Sequence, residues 1–466
     1  MFSSGVAAAV LAIAAQAGVC ESGSDHPIVI EDATILTMVD GAEPISADIV
    51  IEGDRIVAIG DAAETTGPCV ARIAAGGQFV LPGFIDMHTH IPGDVSFRGD
   101  RWVTDAPTHF FDTQDQMTPY LAGGITTTLT LGAGPANLAQ RLEIARGDAI
   151  GPKMALAPII DGGDGDGWTV SQASEAAQTV KLLAAENYDF IKPYSNLDRE
   201  SLLALSDAGK GRNMRLVGHI PYAFKENIAP ALEAIDLLAH AEELTKFATE
   251  FTPAEAVRLA GLAKDGGVTV TPTLIALKQI ADQTRSLDGI RNDPAVDYIH
   301  PILYDKWLNH NRNFSQSSPE LIAHLDSMVA FQKDLVAALA AQGVPMLVGT
   351  DTLGSGIVGG SSFHDEMALM VEAGLDEDYV LRAATVGAAK WLGITEDRGT
   401  IEVGKRADLV LLAKDPRVDI ANTRSIAAVV IDGRLLTASR LDEMLADLAT
   451  RNRARQGEIL WSERRD

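Results

Sequence analysis

Cysteine is nearly absent. Cys20 and Cys69 are the two in 466 residues, so no disulfide framework is written into the chain and its thiols do not reveal a redox compartment. Basic residues are scarce too: 38 Lys and Arg stand against 64 Asp and Glu, a formal charge of −26. That balance disfavours nucleic acid or an anionic membrane as a partner and keeps the chain soluble. Membrane-length apolar runs are missing as well. The run from Val6 to Ala17 covers 12 residues, too few to span a bilayer. What remains, 46% hydrophobic and 22% charged residues, describes an ordinary globular protein with a sizeable core.

The first 25 residues read as separate from the fold. Ala15-Gln16-Ala17 follows the apolar run as a small-x-small cleavage site, so a secretory signal peptide and a periplasmic or secreted mature protein are expected. Met1 to Gly5 carries no Lys or Arg, which leaves a disordered N-terminus and a cytoplasmic protein as the alternative. A lipidated Cys20 ranks third, because Ala17-Gly18-Val19 is a poor lipobox.

Residues 26–81 and 399–437 carry short strand-like runs with Gly and Asp punctuation, such as IVIEDATILTM and RADLVLLAKDP, and the two halves are expected to pair. Between them, residues 82–398 alternate apolar, β-branched runs with helical patterns such as RESLLALSDAGK, which argues for a parallel sheet with helices on its faces. Leu287 to Glu320 reads as a lid or an elaborated loop. Asp161 to Gly167 reads as a flexible loop beside the site, and residues 438–466 as a surface helix.

Several apolar runs end in a residue able to ligate a metal. His88 and His90 lie in LPGFIDMHTH, Lys192 in YDFIKPYSN, His219 in LVGHIP, His240 in DLLAHAEEL and Asp351 in MLVGTDT. Residues i and i+2 of a strand face one side, so His88 and His90 can reach one ion. Imidazoles and a carboxylate suit Zn²⁺ or a similar divalent cation. A lysine between apolar flanks is costly unless neutralised or paired.

The ordered set, with GGITTT and the closing EAGLDEDYVLRAATVGAAKWLGITEDRGTIEVGKRADLVLL, resembles the amidohydrolase superfamily, in particular its imidazolonepropionase-like and prolidase-like branch. The resemblance implies a (β/α)8 TIM barrel with a small β-sandwich built from both chain ends. It implies two divalent metal ions, Zn²⁺ by preference, held by His88, His90, His219, His240, Asp351 and a CO₂-derived carbamate on Lys192. An ion pair between Lys192 and Asp351 at a one-metal site is the rival reading. A metal-bridging hydroxide would then attack an amide carbonyl, with Asp351 carrying the proton to the leaving nitrogen.

Tyr222, three residues beyond His219, is a candidate oxyanion donor. His364 is a candidate substrate contact, and Glu243 reads as a support for the ligands. The expected partner is a small molecule, a dipeptide or N-acyl amino acid, and the expected state a homo-oligomer. Arg98, Arg101 and Lys225 are candidate cations for its carboxylate. The alternatives are a mononuclear imidazolonepropionase or deaminase acting on a cyclic C–N bond, a lactonase or phosphoesterase, and a non-catalytic dihydropyrimidinase-like scaffold. Scaffolds of that kind lose ligands, and this chain retains them.

Overall fold

The computed structural model describes residues 26–61, 70–96, 108–163, 165, 167–458 and 460–463. The expectations attached to the N-terminal run, Cys20, Arg98 and Arg101 lie outside them. The two chain ends meet in one sheet of eight strands. Its order is Arg434–Thr437, Ile426–Ile431, Leu409–Leu412, Phe79–Pro82, Ile28–Ile35, Ile45–Glu52 and Arg55–Gly60, with Ala71–Ala74 also paired to Ile28–Ile35. The join is antiparallel, Leu409 opposite Pro82 and Val410 opposite Leu81. Hydrogen bonds thus link all eight strands, from both chain ends, into one branched sheet.

Side-chain alternation gives this sheet two apolar faces. Leu409 and Leu411 pack with Ile28, Ile30, Ile49 and Ile56 in a core of the sheet's own. Their neighbours Val410 and Leu412, with Leu81, Val429 and Ile431, enter the largest core of the molecule. The small sheet is therefore anchored by burial on the side that meets the helices.

The central residues alternate parallel strands with helices. Phe84–Thr89 pairs with Ile125–Leu131 and that with Lys153–Ala157. Ile159–Asp161 pairs with Lys192–Pro193, Val217–Gly218 with Leu237–Leu238, and the latter with Thr269–Val270, all in parallel. Single parallel bridges connect Ile191 to Leu216, Val270 to Met346 and Thr89 to Thr352. Ile85, Met87, Leu129, Leu131, Phe190, Val217, Leu237 and Leu347 pack on each other. Both faces of these strands are buried, and for that reason their sequences read as continuous apolar runs.

The helices begin where the sequence supplies caps. Asp198 accepts from the Ser201 N–H (2.7 Å) ahead of Arg199–Lys210, and Thr252 caps Pro253–Gly266, satisfying amides a helix leaves open. Residues 287–320 form short helices, Asp288–Asn292, Pro301–Asn309 and Arg312–Ser315, and Trp307 is buried among Leu287, Ile290, Ile302 and Val358. The described residues of the Asp161 loop begin on a local cap. Its Asp161 carboxylate accepts from the amides of Gly162 (2.9 Å) and Asn196 (2.7 Å), and Trp168–Thr169 pairs beside Ile159–Asp161. The last long helix, Ala438–Ala454, buries Leu441, Met444 and Leu448, so it is packed on one side.

Candidate metal centre

His88, His90, Lys192, His219, His240 and Asp351 come from five segments and are brought together at the C-terminal ends of the parallel strands. His90, Lys192, His219, His240 and Asp351 line a cavity of about 680 Å³, and His88 lies fully buried behind it. His88 Nε2 is 3.0 Å and His90 Nε2 3.1 Å from Asp351 Oδ1. The two Nε2 atoms are 3.3 Å apart, and Lys192 Nζ is 3.4 Å from His90 Nε2. The His240 ring lies 4.6 Å from that of His88 and 5.2 Å from that of His219. Ligand atoms of His88, His240 and Asp351 fall within 4.8 Å of one another, a spacing that can hold a metal ion.

Local backbone explains how such bulky groups converge. At Gly349 a Cβ would sit 2.9 Å from the His88 Cβ and backbone nitrogen, and at Gly218 one would sit 2.3 Å from the Pro193 carbonyl oxygen. Glycine in VGT and VGH therefore lets neighbouring strands approach at the ligand positions. Asp351 and Thr273 adopt left-handed backbone, φ 61° and 45°, an uncommon conformation for either that concentrates at functional sites.

Hydrogen bonds fix the imidazoles. His88 Nδ1 is 2.8 Å from the Ala239 carbonyl oxygen; a carbonyl only accepts, so the proton sits on Nδ1 and Nε2 keeps a lone pair. His240 Nδ1 is 2.7 Å from Thr273 Oγ1, whose own hydroxyl donates to the Pro272 carbonyl (2.9 Å), so His240 is fixed in the same tautomer. Glu366 holds the turn: fully buried, it accepts from the amides of Leu274 (3.0 Å) and Ile275 (2.8 Å). His219 Nδ1 is 3.3 Å from Glu243 Oε1, and neither ring nitrogen of His219 has a hydrogen-bond partner although both are buried. Glu243 also accepts from the Ile220 amide (2.9 Å) and pairs with Lys246, in line with a supporting role.

Burial dominates the protonation of the group. It lowers His90 to about 4, with the Lys192 charge adding to the effect, and it lowers His88, His219 and His240. Burial also lowers Lys192 to about 8 against the pull of Asp351 and Glu243. For Asp351 burial acts upward, but the surrounding imidazoles, His88 and His240 first, outweigh it and hold the carboxyl well below its ordinary value. The set is thus biased towards neutral imidazoles around one carboxylate, the protonation states a cation needs.

Three expected residues lie elsewhere. Tyr222 is 56% exposed with Lys246 Nζ over its ring, and it does not line the cavity. Tyr194 lines it instead, its ring 4.3 Å from His219; two residues beyond Lys192, it was findable from the period of two. His364 is buried at the other end of the strand, against Phe84, with Nδ1 2.9 Å from Thr423 Oγ1, so it braces the fold where substrate contact was expected. Lys225 is exposed and absent from the lining. Asp86 went unassigned: fully buried, it accepts from Thr350 Oγ1 (2.8 Å) and the amides of His88 and Thr350 (3.1 Å each), and burial raises it to about 7. A carboxylate inside the run FIDM was the signal for it.

Parallel strands carrying a metal-competent cluster at their C-terminal ends, beside a sheet built from both chain ends, define an α/β class of protein with a candidate metal centre. The chain belongs to the amidohydrolase family, whose model matches residues 79–436. It is accordingly a hydrolase of carbon–nitrogen bonds. An imidazolonepropionase of Micrococcus luteus is 27% identical over 411 residues, 84% of this chain and 94% of the relative. Among solved structures, a bottromycin amidohydrolase is similar with a TM-score of 0.71 and 23% identity, over 93% of this chain and 91% of its own. A Xaa-Pro dipeptidase with bound methionine gives 0.64 and 20%, over 88% and 100%.

Proposed function

We propose that this chain cleaves the amide bond of a dipeptide or N-acyl amino acid at a pair of divalent ions, Zn²⁺ by preference. The ions are held by His88, His90, His219, His240, Asp351 and a carbamate on Lys192. One observation carries the reading: the lone pair of His88 Nε2, left by the proton committed to Ala239, faces the Asp351 carboxylate oxygen Oδ1 at 3.0 Å. Such a meeting of acceptors is repulsive without a cation among them. The two unpartnered nitrogens of His219 add donors to the same group.

A bound pair of this kind polarises a carbonyl oxygen and lowers the pKa of water. The protein's own contribution is then positional and protonic. Asp351 is partly open to the cavity and accepts the proton of the attacking water at its carboxylate, then delivers it to the leaving nitrogen. Lys192 is 2% exposed and its amine is made less basic by burial. A neutral amine adds CO₂ and releases a proton, giving the anionic oxygens a shared site requires. Thr273 and Ala239 hold the rings in the tautomer that presents Nε2.

The reading extends to the architecture. The bridges from Val270 to Met346 and from Thr89 to Thr352 support closure of residues 82–398 into a TIM (β/α)8 barrel, with 26–81 and 399–437 as its companion sandwich. Removal of the first residues and a periplasmic location remain part of the proposal, and N-terminal sequencing after cell fractionation tests them.

The test of function is a library of dipeptides and N-acyl amino acids offered to zinc-loaded protein: metal-dependent turnover of some amide is expected, and none across the library sinks the reading. The second reading is hydrolysis of a cyclic C–N bond, favoured by the likeness to imidazolonepropionase over 94% of that relative. Lys192 beside His90, its amine made less basic by burial and so open to carbamate formation, speaks for the amide reading.

A further inference from the structure

Asp86 is fully buried on the strand Phe84–Thr89, two residues before His88. The period of two turns both side chains to the same side of that strand, with Asp86 one step below the ligand. A carboxyl taken out of water is costly unless its oxygens are occupied. Three donors fill those of Asp86, and they come from the two segments that deliver His88 and Asp351. Oδ1 accepts from the amides of His88 and Thr350 (3.1 Å each), and Oδ2 accepts from the Thr350 hydroxyl (2.8 Å).

The same two segments are tied again through backbone. The amides of Thr350 and Asp351 both donate to the His88 carbonyl (3.2 and 2.8 Å), and the Thr352 amide donates to Thr350 Oγ1 (3.3 Å). Both neighbours of Asp351 are therefore linked to the Asp86–Thr350 pair. Asp351 itself holds a left-handed backbone, φ 61°, a conformation that persists where the surroundings fix it. Gly349, at which a Cβ would sit 2.9 Å from the His88 Cβ, brings the segments close enough for Asp86 to span them. Across this seam His88 Nε2 and Asp351 Oδ1 meet at 3.0 Å.

We propose that Asp86 is a positioning residue for the metal centre: by accepting from the amides of His88 and Thr350 it holds the two segments so that His88 and Asp351 reach one ion, and thereby sets metal affinity. Placement, and not charge, is the contribution. An amide oxygen in place of Oδ1 would accept the same two backbone donors. Its NH2 group would donate to Thr350 Oγ1, whose own proton would turn to the His88 carbonyl 3.3 Å away. The proposal rests on the metal-binding part of the reading above and is independent of the substrate.

The test is the zinc affinity of the full chain, by competition with a chromophoric chelator, measured beside the Tm of the metal-free protein. Asp86→Ala leaves two buried amides without their acceptor and should weaken zinc binding roughly ten- to a hundredfold, the scale for groups that orient ligands. Asp86→Asn should bind zinc as wild type does. Thr350→Val removes one hydrogen bond at nearly constant shape and should weaken binding by roughly three- to tenfold, which keeps the test open if Asp86→Ala does not fold. Ile49→Ala, in the core of the small sheet, is the control: it should lower Tm and leave zinc affinity unchanged. Wild-type affinity in Asp86→Ala, or in Thr350→Val where Asp86→Ala does not fold, overturns the proposal. So does an equal loss in Asp86→Asn and Asp86→Ala, which would make charge the cause. If wild type takes up no zinc, the metal reading and this role fall together. If zinc binding is present and depends on Asp86 as described while no library amide is cleaved, the positioning role stands and the substrate reading alone fails.

Discussion

The two ends of the parallel strands hold cavities of nearly equal size and unlike chemistry. At the C-terminal ends lies the cavity of about 680 Å³ with its histidines, lysine and carboxylate; at the N-terminal ends lies one of about 620 Å³ walled by Val344, Pro345, Met346, Leu347 and Trp391. Charges occur at the second end too, but they have partners. Arg382 and Lys390 both pair with Asp40, and Arg215 lies 4.0 Å from the centre of the Trp391 ring. At the first end, buried acceptors point at one another. Volume does not distinguish the two; unsatisfied, converging polar groups with shifted protonation do.

Substitutions at the two ends should therefore separate activity from stability. The largest effect is expected at the ligands: His88→Ala should lose metal and turnover together, read by metal analysis and kinetics. Asp351→Asn should retain most of the metal and lower kcat by roughly a hundred- to ten-thousandfold; near wild-type kcat on an amide would move proton transfer to another group. Thr273→Val, which removes the acceptor for His240 Nδ1, should weaken metal affinity by about ten- to a hundredfold in a chelator competition while the fold persists. At the opposite end Trp391→Ala removes the contacts of Arg215 and of Phe190, whose ring lies 5.1 Å away. It should lower Tm and leave kcat/KM within about twofold, and a large loss of turnover there would erase the contrast.

The smallest effect concerns the support of the mouth. His300 caps the helix Pro301–Asn309, which lines the cavity through Leu303 and Trp307, and is lowered from 6.5 to about 4 by burial, with His109 and Arg455 adding and Asp115 opposing. The unfolded chain protonates His300 near pH 6.5 and the folded chain only near 4, so between these values unfolding takes up a proton. Stability from this group is complete above pH 6.5 and is lost as pH falls through the window. His300→Asn keeps a capping acceptor and should flatten the pH dependence of urea unfolding between pH 6.5 and 4 by up to one proton; identical slopes would refute it.

The ligand residues were legible because each follows a buried strand, and a buried strand leaves a continuous apolar run ending in a polar side chain. FIDMHTH and VGTDT gave position and chemistry together. The join of the two chain ends was legible for a related reason, since short runs with period-two alternation at both termini lacked partners of their own. The mouth was not. Trp461 lines the cavity through contacts distant in sequence, among them Arg451 and Arg455 with Asp115 and its own amide with Asp305, which no local pattern encodes. Tyr222 was favoured for its nearness to His219 in sequence, yet the turn at Tyr222–Phe224 directs it outward. His364 sits one turn into a helix whose buried face meets Phe84, and burial there resembles burial at a site.

The most direct test of the central claim is the metal content of the purified, zinc-loaded chain, read together with the state of Lys192 in an experimental structure. The account predicts about two ions per chain and a carboxylated Lys192 between them, with Lys192→Ala losing this stoichiometry. A single well-occupied ion beside an unmodified Lys192 ammonium would contradict it.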